Sequence, residues 1–401
     1  PKQRAMAHFS PASEAEVVEA VIAAKASRRP FVIRGGGTRS ALGRPSDAQD
    51  VLSTEKLRGI TLYEPAELVI AARTGTPLAE IENQLAVNHQ RLPFEPMDHR
   101  QLLGSAGEPT IGAIAACNVS GPRRIQCGAA RDFLIGLKLV NGRGESIKGG
   151  GRVTKNVTGL DMVKLNGGAH GTLGVLTEVT FKVLPSSEES GTLVLSGLDD
   201  ASAIAALSAS LTSPFQPTGA AHLPAGLADA RALTLIRIEG VAASVAYRID
   251  ALRTLLMQYG SGERFDHERT AKLWRDIRDC AFLAAPRDAA IWRISVAPAE
   301  GAKVAEALKS VCGDLRYFYD WGGGLLWLSV DASGDAGAAA IRQVVARFGG
   351  HATLERASAE TRAKAPVFQP LAEPLMKITA GIKASFDPDR LINPGLMYAG
   401  I

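Results

Sequence analysis

Phe31-Val32-Ile33-Arg34-Gly35-Gly36-Gly37-Thr38-Arg39-Ser40 is a short apolar run that passes directly into three consecutive glycines. The apolar triplet reads as a buried strand. Without Cβ atoms, the loop behind it can curl tightly enough to aim several backbone N–H groups at one anion. Arg34 and Arg39 add positive charge and Ser40 a hydroxyl. Each charge-assisted hydrogen bond contributes about 1.5–3 kcal/mol. A plain turn is the competing reading. The pattern is neither Gly-x-Gly-x-x-Gly opening a helix nor a Walker loop, because no Gly-Lys-Ser/Thr follows.

Upstream, Ser13-x-x-Glu16 is a capping box, and Val17, Val18, Val21 and Ile22 recur at helical spacing, which predicts a helix ending near Ser27. Downstream, residues 67–72 read as a strand. Gly75-Thr76-Pro77 then starts a helix with Thr76 as N-cap and Leu78, Ile81 and Leu85 as its apolar face. Leu92-Pro93-Phe94-Glu95-Pro96 is a stiff extended stretch. A second cluster of small residues runs from Gly104 through Thr110-Ile111-Gly112 and Ala115 to Asn118-Val119-Ser120-Gly121, followed by Arg123-Arg124 and Gly128. It reads as a short helix that another surface approaches closely, either a ligand or a packed strand. A strand over 134–140, an Asn141-Gly142 turn and a loop with Lys155-Asn156 and Asp161 come next. Gly168-x-x-Gly171-x-x-Gly174 then leads into a strand whose Val175, Thr177, Val179, Phe181 and Val183 share one face.

The second half changes rhythm. Strands at about 192–197, 232–239, 290–297, 324–330 and 351–355 alternate with helices at about 200–211, 241–258, 267–279, 300–310 and 335–347, which predicts an antiparallel α+β layer. Trp274, Trp292, Trp321 and Trp327 all lie there and read as core, with a cavity wall as the alternative. The tail Phe386-Asp387-Pro388-Asp389-Arg390-Leu391-Ile392-Asn393-Pro394-Gly395 is too rigid and patterned to be a loose end.

The chain has 401 residues, 46% of them hydrophobic and 21% charged, which points to a folded protein of two domains. No run is apolar enough to span a membrane, and the N-terminus shows no export signal. Cys117, Cys127, Cys280 and Cys312 lie far apart and the seven histidines are scattered, which argues against a metal or iron–sulfur site and fits a reducing compartment. Lys and Arg exceed Asp and Glu by 6 over residues 1–186 and fall short by 2 over 187–401, which reads either as a front half that favours an anionic ligand or as an ordinary mixed surface. No basic run marks a nucleic-acid partner.

Three features stand in order: Arg34-Gly35-Gly36-Gly37-Thr38, Pro109-Thr110-Ile111-Gly112 to Ser120-Gly121, and Gly171-Thr172-Leu173-Gly174-Val175. With them the chain resembles the p-cresol methylhydroxylase-type (vanillyl-alcohol oxidase-type) FAD-binding superfamily. Tyr63-Glu64-Pro65-Ala66-Glu67-Leu68, Gly75-Thr76-Pro77-Leu78, Leu92 to Pro96, Ser120 to Arg124, Lys155-Asn156-Val157, Trp292-Arg293-Ile294-Ser295 and Gly349-Gly350-His351-Ala352-Thr353-Leu354 are similar to the FAD-binding subunits of glycolate oxidases. The resemblance covers nearly the whole chain. It implies an α+β architecture: a two-part FAD-binding domain over 1–186, an antiparallel-sheet, ferredoxin-like cap over 187–365, and a segment 366–401 returning to the first domain.

The resemblance further implies that the FAD diphosphate lies on Arg34, Gly35, Gly36, Gly37, Thr38, Arg39 and Ser40. Thr110, Ile111, Gly112, Ala115, Asn118, Ser120 and Gly121 line the ribityl and ring side, with Gly104, Gly128, Gly174, Val175 and Asn393 completing the cofactor set. Some members attach FAD through a histidine in the glycine loop, where Thr38 stands here, or through a cysteine where Glu108 stands, so non-covalent FAD is expected. The implied activity is oxidation of a 2-hydroxy acid, glycolate to glyoxylate, beside a catalytic flavoprotein subunit and an iron–sulfur subunit. The implied location is cytoplasmic, with a membrane met only through partners. Such oxidation needs a cation for the carboxylate, a base for the hydroxyl proton and flavin N5 for the hydride. The histidine-rich metal motif of related dehydrogenases is missing, so Arg293 and Arg356 are the candidate carboxylate clamp and His351 the candidate base, with a surface or interdomain ion pair for Arg293 and a hydrogen-bonded core histidine for His351 as the competing readings. An electron-relay or assembly module without its own turnover, and an oxidoreductase for another alcohol or lactone, are the competing readings.

Overall fold

The computed structural model describes residues 6–151 and 160–401. Lys155-Asn156-Val157 lies outside the described residues. Ser13 caps the helix Glu14–Ser27 by accepting from the Glu16 N–H, while the Glu16 carboxylate accepts from Ala12 N–H and the Ser13 hydroxyl. Val17, Ala20, Val21 and Ala24 turn one face of that helix inward, onto Phe31 and Leu52. Phe31–Arg34 pairs in parallel with Asp50–Ser53, which pairs in turn with His8–Phe9, making a small three-stranded sheet.

A second, five-stranded antiparallel sheet runs in the order Ile60–Glu64, Val69–Arg73, Val175–Lys182, Leu134–Val140, Ser146–Gly150. Val175–Lys182 is its centre, so burial extends beyond the expected face: Leu176 and Thr180 on the opposite side are buried too. Two local expectations fail here. The stretch 65–67 is a 3₁₀ turn and the strand begins only at Val69. Thr76 is no N-cap: its hydroxyl donates to Arg73 O and accepts from Gly59 N–H, tying two loops together, and Pro77 precedes the helix Leu78–Ala86.

The second half forms one eight-stranded antiparallel sheet. Its chain order is strand–helix–strand–strand–helix–strand, twice over, with the helix His267–Arg278 between the repeats. Each repeat has the ferredoxin-like order fourth–first–third–second. The two join through their second strands, Gly219–Leu223 and Arg316–Asp320, at the bridge His222 to Tyr319. Those two strands and Glu263–Phe265 are additions to the five expected from sequence.

Alternation along the strands gives the sheet two apolar faces. One buries Trp292, Ile294, Ala352 and Leu354 under the four repeat helices. The other places Ile291, Phe318, Trp321, Leu325 and Trp327 in one cluster with Phe94, Leu102, Ile114 and Val119 of the first half. Charges fix this contact. Arg237 donates twice to the Glu95 carboxylate, at 2.9 and 2.8 Å, and Glu239 accepts from Arg91 and Arg123.

The tail returns to the first sheets. Lys383, on the helix Glu373–Phe386, donates at 2.7 Å to Asp387 and to the carbonyls of Thr172 and Ile392. Ile392 then bridges Phe31, and Asn393 Oδ1 accepts from the Ile33 N–H at 2.8 Å. Among the described residues no helix is long and apolar enough to cross a membrane.

Candidate functional site

A groove of about 340 Å³ lies between the glycine loop, the helix Ile111–Cys117, the turn before Val175 and the returning tail. All of Arg34, Gly35, Gly36, Gly37, Thr38, Arg39 and Ser40 line it, together with Thr110, Gly112, Gly174 and Asn393. The glycines are required by close approach of two backbones. A Cβ on Gly36 would stand 1.9 Å from the Glu108 carbonyl oxygen, and one on Gly107 equally close to that of Gly36. Gly37 has φ +78°, the left-handed region that disfavours a side chain. Ser40 closes the loop by donating to Gly37 O at 3.0 Å, and Ser105 donates to Thr38 O at 2.7 Å.

Arg39 supplies the charge. Its guanidinium is buried in the groove wall, donating through Nε to His99 Nδ1 and through Nη2 to Met97 O, while Nη1 is buried with no partner among the described residues. Burial and the neighbouring Arg39 push His99 well below its ordinary pKa, so it stays neutral and Nδ1 accepts. Leaving one buried donor unmet costs about 1–3 kcal/mol, which an acceptor on a ligand would remove. A main-chain cradle with a buried cation beside it suits the diphosphate of FAD. Thr38 has no nucleophilic ring nitrogen for a covalent flavin link.

The remaining residues of the expected cofactor set do not line this groove. Ile111 and Ala115 occupy the core face of their helix; Ala113, Ala116 and Cys117 face the groove beside Gly112. The helix is rotated from the expected phase because its whole surface is small and apolar, so hydropathy does not mark the open side. Asn118 is the left-handed C-cap, and its Oδ1 accepts from Arg131 N–H. Ser120 accepts from Ala130 N–H, and the Gly121 carbonyl accepts from Trp321 Nε1 at 3.1 Å. Gly104 and Gly128 close the helices Arg100–Leu103 and Arg124–Cys127. The Val175 side chain is buried against the first helix. His170 is an addition to the groove wall. Burial holds it neutral, pushed down to about 4.

The three expected catalytic residues are dispersed. Arg356 is excluded as a carboxylate clamp: its guanidinium donates to the carbonyls of Ala289, Leu102, Ala284, Leu283 and Pro286 and anchors loops. Arg293 faces the first domain, cross-strand from Trp327 and Thr353 and 5.1 Å from the Trp321 ring. His351 is exposed at the start of its strand, and its pKa is lowered by partial burial, Arg293 and Arg124.

Glu355 and Arg124 are the functional candidates the sequence reading did not single out. His351 and Thr353 share a face, and Glu355 follows at a β-bulge, where the register passes from Trp292–Leu354 to Ile291–Arg356, close enough for the Arg293 charge to act on it. Glu355 is half-buried; burial raises its pKa, opposed by Arg293, His170 and Arg39, the last two being groove residues. Arg124 lies 4.4 Å from the Trp321 ring. Among the described residues, no hydrogen bond or ion pair occupies the side chains of Glu355, Arg293 or Arg124. No group of three or more metal-ligating side chains occurs among the described residues.

Residues 6–150 match the family described as FAD binding domain. The chain is 36% identical to the glycolate oxidase subunit GlcE of Escherichia coli (strain K12), over 96% of this chain and 97% of that protein. It is 26% identical to the glycolate oxidase subunit GlcD of Bacillus subtilis (strain 168), over 98% and 88%. Among solved structures, p-cresol methylhydroxylase with substrate bound superimposes with a TM-score of 0.74, over 98% of this chain and 88% of that one, at 15% identity, a likeness of fold.

Proposed function

Since the chain belongs to the family of the glycolate oxidase subunit GlcE, an FAD-dependent oxidoreductase family acting on CH–OH groups, we propose that it oxidises a small 2-hydroxy acid, glycolate being the leading candidate, as one subunit of a larger oxidase. The observation that carries this is the glycine cradle between residues 34–40 and 107–112, with the orphaned nitrogen of Arg39 beside it. FAD, when bound, supplies the acceptor for the hydrogen and electron pair that leave the carbinol carbon. The residues of Arg34–Ser40 hold it without a covalent bond, and Asn393 locks the tail over that loop by bonding Ile33 and the carbonyls of His170 and Gly171.

The chain's own groups do the rest. Arg293 orients the substrate carboxylate. Glu355 takes the hydroxyl proton in place of the exposed His351: burial raises its pKa, which strengthens the carboxylate as a base, and its half-buried site tolerates the neutral acid formed. The apolar surface of Trp321, Trp327 and Leu325 keeps bulk water from the site. Subunit partners are supported by the names of the relatives.

The test is anaerobic addition of glycolate or D-lactate to the purified, flavin-loaded chain, followed by visible absorbance. Bleaching supports a self-contained site. Bleaching confined to the assembled complex assigns the chemistry to another subunit. Glu355→Gln should retain FAD and slow bleaching by about 10²-fold or more; wild-type rates in that variant would remove Glu355 from the mechanism.

A further inference from the structure

We propose that Arg124 and Arg293, sharing the Trp321 indole, form a monocarboxylate subsite, with Arg124 deciding which substrates enter. The inference rests on the oxidoreductase reading above and gives its substrate class.

Two guanidiniums approach one ring, at 4.4 and 5.1 Å from its centroid. One comes from the helix Arg124–Cys127 of the first domain, the other from the strand Ala290–Ser295 of the cap. The platform is fixed: Trp321 is buried, its Nε1 donates to Gly121 O and its backbone N–H to Asp320. A stacked guanidinium keeps its N–H edge free for bidentate bonds.

What sets this pair apart is that neither guanidinium makes a hydrogen bond or a close ion pair among the described residues, the acids that act on them, Glu355 and Asp320 on Arg293 and Asp132 on Arg124, lying beyond contact. At the same domain boundary Arg123, Arg91 and Arg237 are each matched to Glu95 or Glu239. Arg124, the very next residue after Arg123, has no such partner among the described residues; burial and Arg293 lower its pKa, opposed by Asp132. Two half-buried cations at one indole are stabilised when an anion sits close to both. A carboxylate matches both forks.

Glu355 limits the size and charge of the guest. It sits at the β-bulge after Leu354, on the strand paired with that of Arg293, and its charge acts on Arg293. A carboxylate held at the arginines has Glu355 as its acidic neighbour. A second carboxylate there would meet like charge, so short monocarboxylates fit and dicarboxylates do not.

Oxamate, a monoanion that cannot be oxidised at carbon, is the probe. It should bind the flavin-loaded chain by calorimetry and compete with glycolate. Arg124→Gln should weaken oxamate binding at least tenfold and raise the KM for glycolate more than it lowers kcat, with FAD content unchanged, and Arg124→Lys should recover part of the loss. Succinate should compete poorly. Wild-type oxamate affinity in Arg124→Gln, or no oxamate binding by the flavin-loaded wild type, overturns the subsite. Loss of oxamate binding in a chain that glycolate never bleaches would keep the subsite and remove the oxidase reading. Bleaching that is identical in wild type and Arg124→Gln would do the reverse.

Discussion

At the scale of single residues, contact distances decide which side chains are replaceable. Gly36 faces the Glu108 carbonyl so closely that no methyl group fits. Gly36→Ala should therefore separate the two loops and weaken FAD binding at least tenfold, read as flavin absorbance per chain; full occupancy in that variant would remove the cradle. Asp320 shows the opposite dependence, on charge. Burial raises its pKa from 3.8 to about 7, against the pull of the hydrogen bond from Trp321 N–H. The folded state then binds a proton that the unfolded chain releases above about pH 4, so stability falls as pH rises from about 4 to about 7 and is flat beyond. The loss is about 4 kcal/mol. Asp320→Asn should raise the unfolding midpoint at pH 8 and change it little at pH 4, and an unchanged slope would contradict the assignment. Arg34 to Ser40 stood out in the sequence because a strand running into consecutive glycines can aim backbone N–H groups at an anion, with a plain turn as the competing reading, and all seven residues line the groove. Arg124 and Glu355 did not, because their meaning lies in missing partners, and a sequence does not display which charges go unpaired.

Elements follow the sequence where hydrophobic period and caps agree. Glu14–Ser27 and Leu134–Val140 have the expected bounds for that reason. Gly219–Leu223 escaped because Gly-Ala-Ala-His-Leu has no β-branched residue, yet all five residues are buried between neighbouring strands. Arg316–Asp320 escaped because polar ends flank only three aromatic positions. The tail depends on one buried ion pair, Lys383 with Asp387, whose carboxylate also accepts from the backbone N–H groups of Leu391 and Ile392. Removing one partner strands the other charge, at a cost of about 3–5 kcal/mol. Asp387→Ala should lower the denaturation midpoint accordingly and loosen FAD through Asn393. A midpoint within error of wild type would mean that the tail is held by something else.

For the whole molecule, the two halves meet through an apolar sheet face and a small set of charges. Glu239 neutralises Arg91 and Arg123 together. Glu239→Gln should destabilise the chain by about 3–5 kcal/mol, measurable by urea unfolding, because Arg91 and Arg123 then lose their carboxylate partner. The doubled ferredoxin-like cap was visible only as an alternation of strands and helices. Its joining edge consists of the two strands with the weakest local signal. The central claim is that residues 34–40 and 107–112 cradle FAD without a covalent bond. Its most direct measurement is the flavin stoichiometry of the purified chain, taken before and after acid precipitation. One flavin per chain, released entirely into the supernatant as FAD, is the predicted result. A colourless preparation that takes up no added FAD, or flavin that stays in the pellet, would contradict it.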